Sequence, residues 1–516
     1  MDRRQFMKIA GLTAGTVAIG NKTFGRNLFT SLQSPEGKPN ILYIMTDQQS
    51  YDMMSCMGNK WLSTPNMDKI ASMGYRFEKA YTANPVCMPS RFSLLTGHHA
   101  SAVGVKENTS VVNDDKVNEI LKTGALGNIF RQAGYKTLYS GKTHLYGTKD
   151  VSEYGFNLNN KDPYEGPAIY AEKVLPELGK NKKGKPFFLF LSFINPHDIC
   201  YKAGMDKRFK KGLDPAQEVE TDRLLAVQKS LSPEEYRRQI PPQPKNRTPI
   251  NGEEPEMVAM ALPGRDWNEE QWDLYYWMYH RLTESVDALI GRVLTALTNS
   301  GLDENTIIVF TSDHGDMHGA HKLILKNVMF EECQRIPFII AGKGIKSNYA
   351  DKSTLVCNGL DFLPTICDLA GLEIPKGLPG ISLKPYLLDK AIKPDRKFIV
   401  TENYNANQIH DGRYKYTLFE LPGYPETLTD LEVNPGETIN YAKDPAYAKI
   451  KADLKKKLVE DMAHRGITHI PNNRTIRNLR KIEKEKKGEM KEKKKSEPKD
   501  KKKGKSKVSD NNNEDE

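Results

Sequence analysis

Cysteine is scarce in this sequence: six occur in 516 residues, and no two of them form a C-x-x-C pair. That spacing excludes a zinc ribbon and a small domain stapled by disulfides. Five of the six are predicted to be small buried side chains, whereas Cys87 stands in a segment with other chemistry-bearing residues. Long apolar runs are absent as well. Since a membrane-spanning helix needs about 20 apolar residues, we expect no transmembrane span in the mature protein.

The chain also lacks a large excess of charge of one sign. Lysine and arginine number 76 against 66 aspartate and glutamate residues, which leaves a formal net charge of +10. An excess this small on a chain this long predicts no nucleic-acid partner, although it suits an anionic substrate. The hydrophobic fraction of 38% supports a large core, and the length allows two or three domains.

Paired arginines, Arg3 and Arg4, precede a short apolar run over residues 9–19. This order is typical of a twin-arginine signal peptide, predicted here for residues 1–35. The alternative is an ordinary amphipathic N-terminus. No cysteine directly follows the run, which argues against a lipid anchor. We therefore expect export by the twin-arginine route, with a periplasmic or secreted product.

Short apolar runs alternate with helical patterns through most of the chain. The runs occupy residues 41–45, 187–194, 306–310, 336–340 and 398–400, and the helical patterns occupy residues 65–73, 91–95, 126–133 and 267–298. Runs that are apolar throughout indicate strands covered on both faces. The chain is therefore predicted to be an α/β protein, with a large, mostly parallel sheet sandwiched by helices over residues 38–395.

Three further segments depart from this pattern. Residues 201–265 are rich in proline and charge, which predicts an irregular insertion over the sheet, in the position of a substrate-facing lid. Residues 411–416 indicate a tight turn that leads into an alternating strand, so a smaller antiparallel subdomain is predicted for residues 396–475. Residues 480–516, rich in lysine and glutamate, offer few apolar side chains to bury and are predicted to be disordered.

Polar residues close three of the apolar runs. Asp47 ends the first run, His197 follows the second, and Asp313 and His314 follow the third. In an open α/β sheet, functional groups gather beyond the carboxyl ends of the strands. These side chains are therefore predicted to share one site.

The densest group of chemistry-bearing residues is segment 85–97, with the sequence PVCMPSRFSLLTG. Pro89 is well placed to open a helix, which would put Cys87 at the positive end of the helix dipole. Arg91 adds a fixed cation in the first turn. Together these features predict an anion-binding site with a reactive group at its floor. The alternative is a buried cysteine before a helix that starts at a proline.

This segment resembles the signature of the type I sulfatases of the alkaline phosphatase superfamily, C-x-P-S-R followed by a helix that ends in T-G. Segment 134–144, GYKTLYSGKTH, is similar to the second signature of that family. The resemblance covers residues 38–420, with its motifs in family order. It implies that a formylglycine-generating maturation enzyme oxidises Cys87 to formylglycine, whose hydrated aldehyde is the nucleophile in this family.

The same resemblance implies roles for the other candidate catalytic residues. Arg91, Lys142 and Lys326 would hold the sulfate oxygens. His144 would contact the formylglycine hydroxyl and act as the base in the step that expels sulfate. His197, with Lys326, would protonate the leaving alcohol, since a histidine of ordinary pKa can donate a proton near neutral pH.

The resemblance further implies one divalent metal ion, expected to be calcium, with manganese and magnesium as alternatives. Its predicted ligands are Asp47, Gln48, Asp313 and His314, together with the modified Cys87. Gln48 stands where many members of the family have an aspartate. The amide removes one negative charge from the site, although its oxygen can still bind a hard cation.

Several weaker candidates lie nearby. Lys322 is the alternative to the lysine at position 326, and His321 and Asp198 are candidates for substrate contact. The spacing of His314, His318 and His321 also raises a zinc alternative, since H-x-x-x-H on a helix binds zinc. Two glycines inside that window argue against a helix there.

The function predicted from the sequence is that of a sulfuric ester hydrolase acting on a sulfated glycan or another alkyl sulfate. A small sulfate ester would serve as a simpler substrate. Two alternatives stay open at this point: a phosphodiesterase or phosphonate monoester hydrolase on the same scaffold, and a binding protein that has lost its chemistry.

Overall fold

The computed structural model describes residues 37–108, 114–146, 151–181, 184–202, 215–248, 267–388, 396–420 and 426–467. The predicted signal segment and the lysine-rich tail lie outside these residues, so both stay predictions. Within the described ranges, no helix combines the length and the apolar character that crossing a membrane requires.

Within the described residues, eight strands form the larger sheet. They are β1 (Asn40–Asp47), β2 (Gly74–Tyr81), β3 (Lys136–Gly141), β4 (Asn157–Asn160), β5 (Phe187–Pro196), β6 (Thr306–Ser312), β7 (Phe338–Ala341) and β8 (Tyr349–Cys357). Their order across the sheet is β4-β3-β5-β1-β6-β7-β2-β8. Strand β7 runs antiparallel to β6 and β2, and the other neighbours are parallel. The prediction of a large, mostly parallel sheet is confirmed.

Helices cover both faces of this sheet. The described helices are α1 (Pro65–Met73), α2 (Cys87–Thr96), α3 (Asp114–Gly124), α4 (Leu126–Gln132), α5 (Gly166–Gly179), α6 (Ile199–Lys202), α7 (Pro215–Ser230), α8 (Pro233–Gln239), α9 (Glu269–Asn299), α10 (Glu331–Gln334), α11 (Asn358–Leu369), α12 (Lys384–Leu388) and α13 (Ala448–His464). Alternate residues of a strand point to opposite faces. In β1, Ile41 and Tyr43 pack with α2, α4 and α11, whereas Leu42 and Ile44 pack with α1, α5 and α9.

A smaller antiparallel sheet follows, as the sequence predicted. Its strands are β9 (Ile399–Glu402), β10 (Ala406–His410), β11 (Tyr414–Phe419) and β12 (Thr427–Asp430), in the order β12-β11-β10-β9. The predicted turn joins β10 to β11, where Asp411 Oδ1 accepts from the backbone N–H groups of Arg413 and Tyr414. Helix α13 packs Leu454 and Leu458 into the core of this sheet.

The prediction of an irregular insertion over residues 201–265 was wrong for its described part, which is largely helical. Helices α7 and α8 lie within it. Ser232 caps α8: its side chain accepts from the backbone N–H of Glu235, and the Glu235 carboxylate accepts from the backbone N–H of Ser232. This S-x-x-E pattern is a capping box, a signal that was visible in the sequence.

Helix α2 begins two residues earlier than the proline predicted. Its first residue is Cys87, after an extended Val86, and Pro89 is the third residue. A proline is tolerated in the first turn because the N–H that it lacks would have no partner within the helix. The consequence is that Cys87 lies within the first turn of the helix instead of in front of it.

Candidate active site

The predicted site residues meet at one edge of the larger sheet. Strands β1, β5 and β6 are parallel neighbours, so their carboxyl ends lie side by side. Asp47 is the last residue of β1, His197 directly follows β5, and Asp313 directly follows β6. Helix α2 brings Cys87 to the same place, since its Sγ lies 3.8 Å from Asp47 Oδ1.

Cys87 is fully buried, and charged groups surround its sulfur. Sγ lies 2.8 Å from Lys326 Nζ, 3.2 Å from His314 Nε2 and 4.0 Å from Lys142 Nζ. Burial and the carboxylate of Asp47 raise the pKa of the Cys87 thiol, but the cations of Lys142 and Lys326 outweigh both and leave this pKa well below its usual value. The position therefore favours a negatively charged group.

Arg91 is 1% exposed and ties the site together. Its Nη2 donates to Asp47 Oδ2 at 2.7 Å and its Nε to Asp313 Oδ2 at 3.0 Å. Nη1 donates to the carbonyl oxygen of Lys142 at 2.9 Å and to Ser192 Oγ at 2.8 Å. A guanidinium has five N–H donors, and most of those of Arg91 already donate to other groups of the protein. Arg91 therefore fixes the two carboxylates.

Lys142 and His197 lie on the other side of Asp47. Lys142 Nζ is 2.6 Å from Asp47 Oδ2 and its side chain is 11% exposed, while His197 Nε2 is 4.0 Å from Asp47 Oδ1. Burial, with repulsion from Lys142 and Lys326, lowers the pKa of His197 to about 3. The imidazole is thus neutral at pH 7 before substrate binds, which differs from the ordinary pKa assumed from the sequence.

Four of the predicted metal ligands form one buried cluster. Ligand atoms of Asp47, Cys87, Asp313 and His314 all lie within 4.8 Å of one another. The ring of His314 is oriented by the contact of Nδ1 with the carbonyl oxygen of Gly315 at 2.9 Å, which leaves Nε2 facing the cluster. Two carboxylates and an imidazole suit a divalent cation. The donor set therefore fits the predicted ion.

Gln48, the fifth predicted ligand, borders this cluster. It is fully buried and has a left-handed backbone, with φ of 68°. Its Oε1 accepts from Lys326 Nζ at 2.8 Å and from Cys200 Sγ at 3.1 Å. Between the two lysines considered from the sequence, it is Lys326 that reaches Cys87. The role of Lys326 at the sulfate, preferred over that of Lys322, stays a prediction.

The remaining predicted residues lie at the border of the site. His144 is half-buried in the loop after β3, and its Nδ1 has no hydrogen-bond partner in the described ranges. Asp198 is buried, accepts from Tyr164 OH at 3.2 Å, and has its pKa raised to about 7, mainly by burial. His321 stacks on Phe330, with ring centroids 4.2 Å apart. Their predicted roles stay predictions.

The zinc alternative fails because the three histidines face different surroundings. His314 faces Cys87. His318 packs against the ring of Tyr279 at 4.9 Å, and His321 stacks on Phe330. In the part of the chain that the structure describes, these imidazoles do not form a shared ligand set.

Three residues of the site were missed from the sequence. Ser192, the partner of Arg91, is the one polar residue of the run 187–194, and that interruption was a usable signal. Asp316 accepts from Gln48 Nε2 at 2.7 Å; it lies three residues after Asp313 in a segment already singled out. Cys200 had no distinguishing signal, since its contact with Gln48 depends on the tertiary structure.

Known proteins share both the sequence and the fold. Residues 39–372 match the family described as Sulfatase, and residues 319–464 match the family described as N-sulphoglucosamine sulphohydrolase, C-terminal. A Delta 4,5-hexuronate-2-O-sulfatase of Bacteroides thetaiotaomicron is 30% identical, over 81% of this chain and 87% of its own length.

Solved structures agree with this assignment. The structure of a 2-O GAG sulfatase is 28% identical, with a TM-score of 0.69, over 83% of this chain and 93% of that chain. A phosphonate monoester hydrolase of Agrobacterium radiobacter, 21% identical, has a TM-score of 0.62 over 83% of this chain and 96% of that chain. At that identity the second likeness shows the fold alone. The chain belongs to the sulfatase family and is a sulfuric ester hydrolase.

Proposed function

We propose that this sulfatase removes sulfate from a sulfated saccharide, with a formylglycine made from Cys87 and a bound divalent metal. The observation that carries the proposal is the position of the Cys87 side chain. It is buried at the start of α2, within 4.0 Å of the cations of Lys142 and Lys326. A reactive group there would meet an anionic ester held by two ammonium groups.

The modification explains why a cysteine stands at this position. Oxidation of Cys87 by a formylglycine-generating enzyme would leave an aldehyde, whose hydrate supplies one hydroxyl to attack sulfur and a second whose collapse expels sulfate. A thiol or a simple alcohol has no second hydroxyl, so it would stay sulfated. His144, at the border of the site, is proposed as the base for that collapse.

The two lysines and Arg91 are proposed to have different roles. Lys142 is 11% exposed and Lys326 is part-buried, so both can turn towards an entering sulfate. Arg91 is almost inaccessible and donates to two carboxylates. We therefore assign the sulfate oxygens to the lysines, and to Arg91 the task of holding Asp47 and Asp313 in place. This refines the role that the family resemblance implied for Arg91.

His197, with Lys326, is proposed to protonate the leaving alcohol. Burial, and after it repulsion from Lys142 and Lys326, keeps the His197 pKa low in the free site. An anionic sulfate between the two ammonium groups would offset the part of the shift that the lysines cause and would itself attract a proton to His197. The proton would then be present when the alkoxide departs.

The cluster of Asp47, Asp313 and His314, with Gln48 beside it, is proposed to hold the divalent ion. When bound, the ion would act as a Lewis acid towards the sulfate group. Calcium is our first choice because most of the donors are oxygens. The imidazole of His314 keeps manganese and magnesium as alternatives.

A saccharide substrate and an exported enzyme complete the proposal. The names of a relative and of a structural neighbour, a hexuronate 2-O-sulfatase and a 2-O GAG sulfatase, support a sugar sulfate. Arg3 and Arg4, ahead of the apolar run at residues 9–19, support export by the twin-arginine route to the periplasm or beyond.

Mass spectrometry of the peptide that contains Cys87 tests the modification, since conversion to formylglycine lowers the mass by about 18 Da. We expect the converted peptide in active enzyme, and no sulfate release from Cys87→Ala with an unchanged melting temperature. The matched control is Cys367→Ala, a buried cysteine of α11 that should keep full turnover. Active enzyme with an unconverted thiol would rule out the proposed chemistry.

A further inference from the structure

The side-chain amide of Gln48 lies between an acceptor on one side and donors on the other. Nε2 donates to Asp316 Oδ2 at 2.7 Å, while Oε1 accepts from Lys326 Nζ at 2.8 Å and from Cys200 Sγ at 3.1 Å. A carboxylate can only accept, and an ammonium can only donate. Only one orientation of the amide satisfies both sides, and it turns the carbonyl oxygen towards Lys326.

Asp316 is itself held firmly. It is fully buried, and its Oδ1 accepts from Tyr275 OH at 2.5 Å and from the backbone N–H of His318 at 2.7 Å. Its own N–H donates to Ser50 Oγ at 3.0 Å. Both carboxylate oxygens therefore have fixed donors, and one of them comes from the long helix α9. Such a carboxylate can impose an orientation on the amide of Gln48.

We propose that Asp316, supported by Tyr275, is a positioning residue for the sulfatase reaction. It orients the amide of Gln48 so that the oxygen faces Lys326, whose Nζ lies 2.8 Å from Cys87 Sγ. The inference rests on the proposed function, because it assumes that Lys326 acts on the sulfate.

Exchanging the amide of position 48 and the carboxylate of position 316 tests the proposal. In Asp316→Asn, the new NH2 group must face either Nε2 of Gln48 or the N–H of His318, so one donor loses its acceptor. We expect kcat/KM to fall by about 10–100-fold, as for other residues that orient a functional side chain. Gln48→Glu alone places two carboxylates together in a buried site and is also expected to lose activity.

The double variant Gln48→Glu with Asp316→Asn restores every hydrogen bond. The introduced amide donates to the introduced carboxylate, whose other oxygen accepts from Lys326, and the net charge equals that of the wild type. We expect kcat/KM to recover by about tenfold or more relative to either single variant, because residues in contact show such coupling and distant residues do not. Calcium affinity, measured by titration calorimetry, should weaken in Asp316→Asn and recover in the double variant.

A variant that changes no charge separates positioning from electrostatics. Tyr275→Phe removes one hydrogen bond from Asp316, and we expect kcat/KM to fall by about three- to tenfold. The matched control is Tyr135→Phe. Tyr135 directly precedes β3, and its hydroxyl donates to the carbonyl oxygen of Pro39 at 3.0 Å. That control should keep the wild-type kcat/KM.

Three results would overturn the proposal. They are a double variant no more active than the better of the two single variants, a Tyr275→Phe enzyme equal to wild type, and an Asp316→Asn enzyme within twofold of wild type. The formylglycine content of every variant is measured alongside. An unmodified Cys87 in active wild type would instead contradict the proposed function, while turnover and calcium affinity would still report the coupling of the two positions.

Discussion

Removal of the Arg91 side chain should damage both the stability and the activity of this enzyme. The guanidinium is 1% exposed and makes four hydrogen bonds, two of them to the carboxylates of Asp47 and Asp313. Asp47 would keep Lys142, whose Nζ lies 2.6 Å away. Asp313 Oδ2 would lose its cation, and the backbone N–H groups of Gln48 and His314 would not replace it, because they donate to Oδ1.

The expected loss in the free energy of unfolding follows from the charge that Asp313 would keep without a partner. Removing one partner of a buried ion pair costs about 3–5 kcal/mol, since the other charge stays buried without compensation. We expect that cost for Arg91→Ala. Arg91→Lys keeps the charge but gathers its donors on one nitrogen, so it cannot reach both carboxylates; we expect a loss of about 1–3 kcal/mol. Misplaced carboxylates should also lower kcat/KM about 100-fold in Arg91→Lys.

Urea unfolding of metal-depleted protein, followed by circular dichroism, would measure the free energy of unfolding, and hydrolysis of an aryl sulfate would measure kcat/KM. The control is Arg223→Ala, since Arg223 is 53% exposed and pairs with Glu220 at 2.8 Å. An exposed pair contributes about 1 kcal/mol or less. If Arg91→Ala were no less stable than this control, the scaffold role of Arg91 would be refuted.

Two further perturbations test other parts of the molecule. Burial opposes ionisation of Glu426, but hydrogen bonds from Lys451 and Lys455 hold its pKa at about 2, below the ordinary value of 4.5. The ionised Glu426 should therefore stabilise the folded state by about 1 kcal/mol after solvent screening. This contribution should be complete above pH 4.5 and lost as the pH falls towards 2. Wild type and Glu426→Gln should therefore differ in urea midpoint at pH 6 and converge near pH 2, and a constant difference would contradict this. His197→Ala should lose far more activity on alkyl or sugar sulfates than on aryl sulfates, whose leaving groups need less protonation; equal losses on both would remove His197 from that role.

Much of the site was predictable because its signals are local. Cys87 and Arg91 stand in one short segment, Lys142 and His144 in another, and Asp313 at the end of an apolar run. Each signal depends on residues close together in the chain. Parallel strands present their carboxyl ends at one edge, so a shared site followed from the strand predictions. The capped helix α8 shows that a local signal can also be overlooked.

The amino-acid order by itself determined the α/β architecture and the residues that end the strands, since propensity and periodicity act over short distances. The type of chemistry followed from the resemblance of segments 85–97 and 134–144 to the sulfatase signatures, which are local as well. What only the tertiary structure decided is which of these groups touch. The bond from the Gln48 N–H to Asp313 spans 265 positions, and the bond from Gln48 Nε2 to Asp316 spans 268. Such contacts depend on strand register and on the path of long connections, and no short stretch of sequence contains that information.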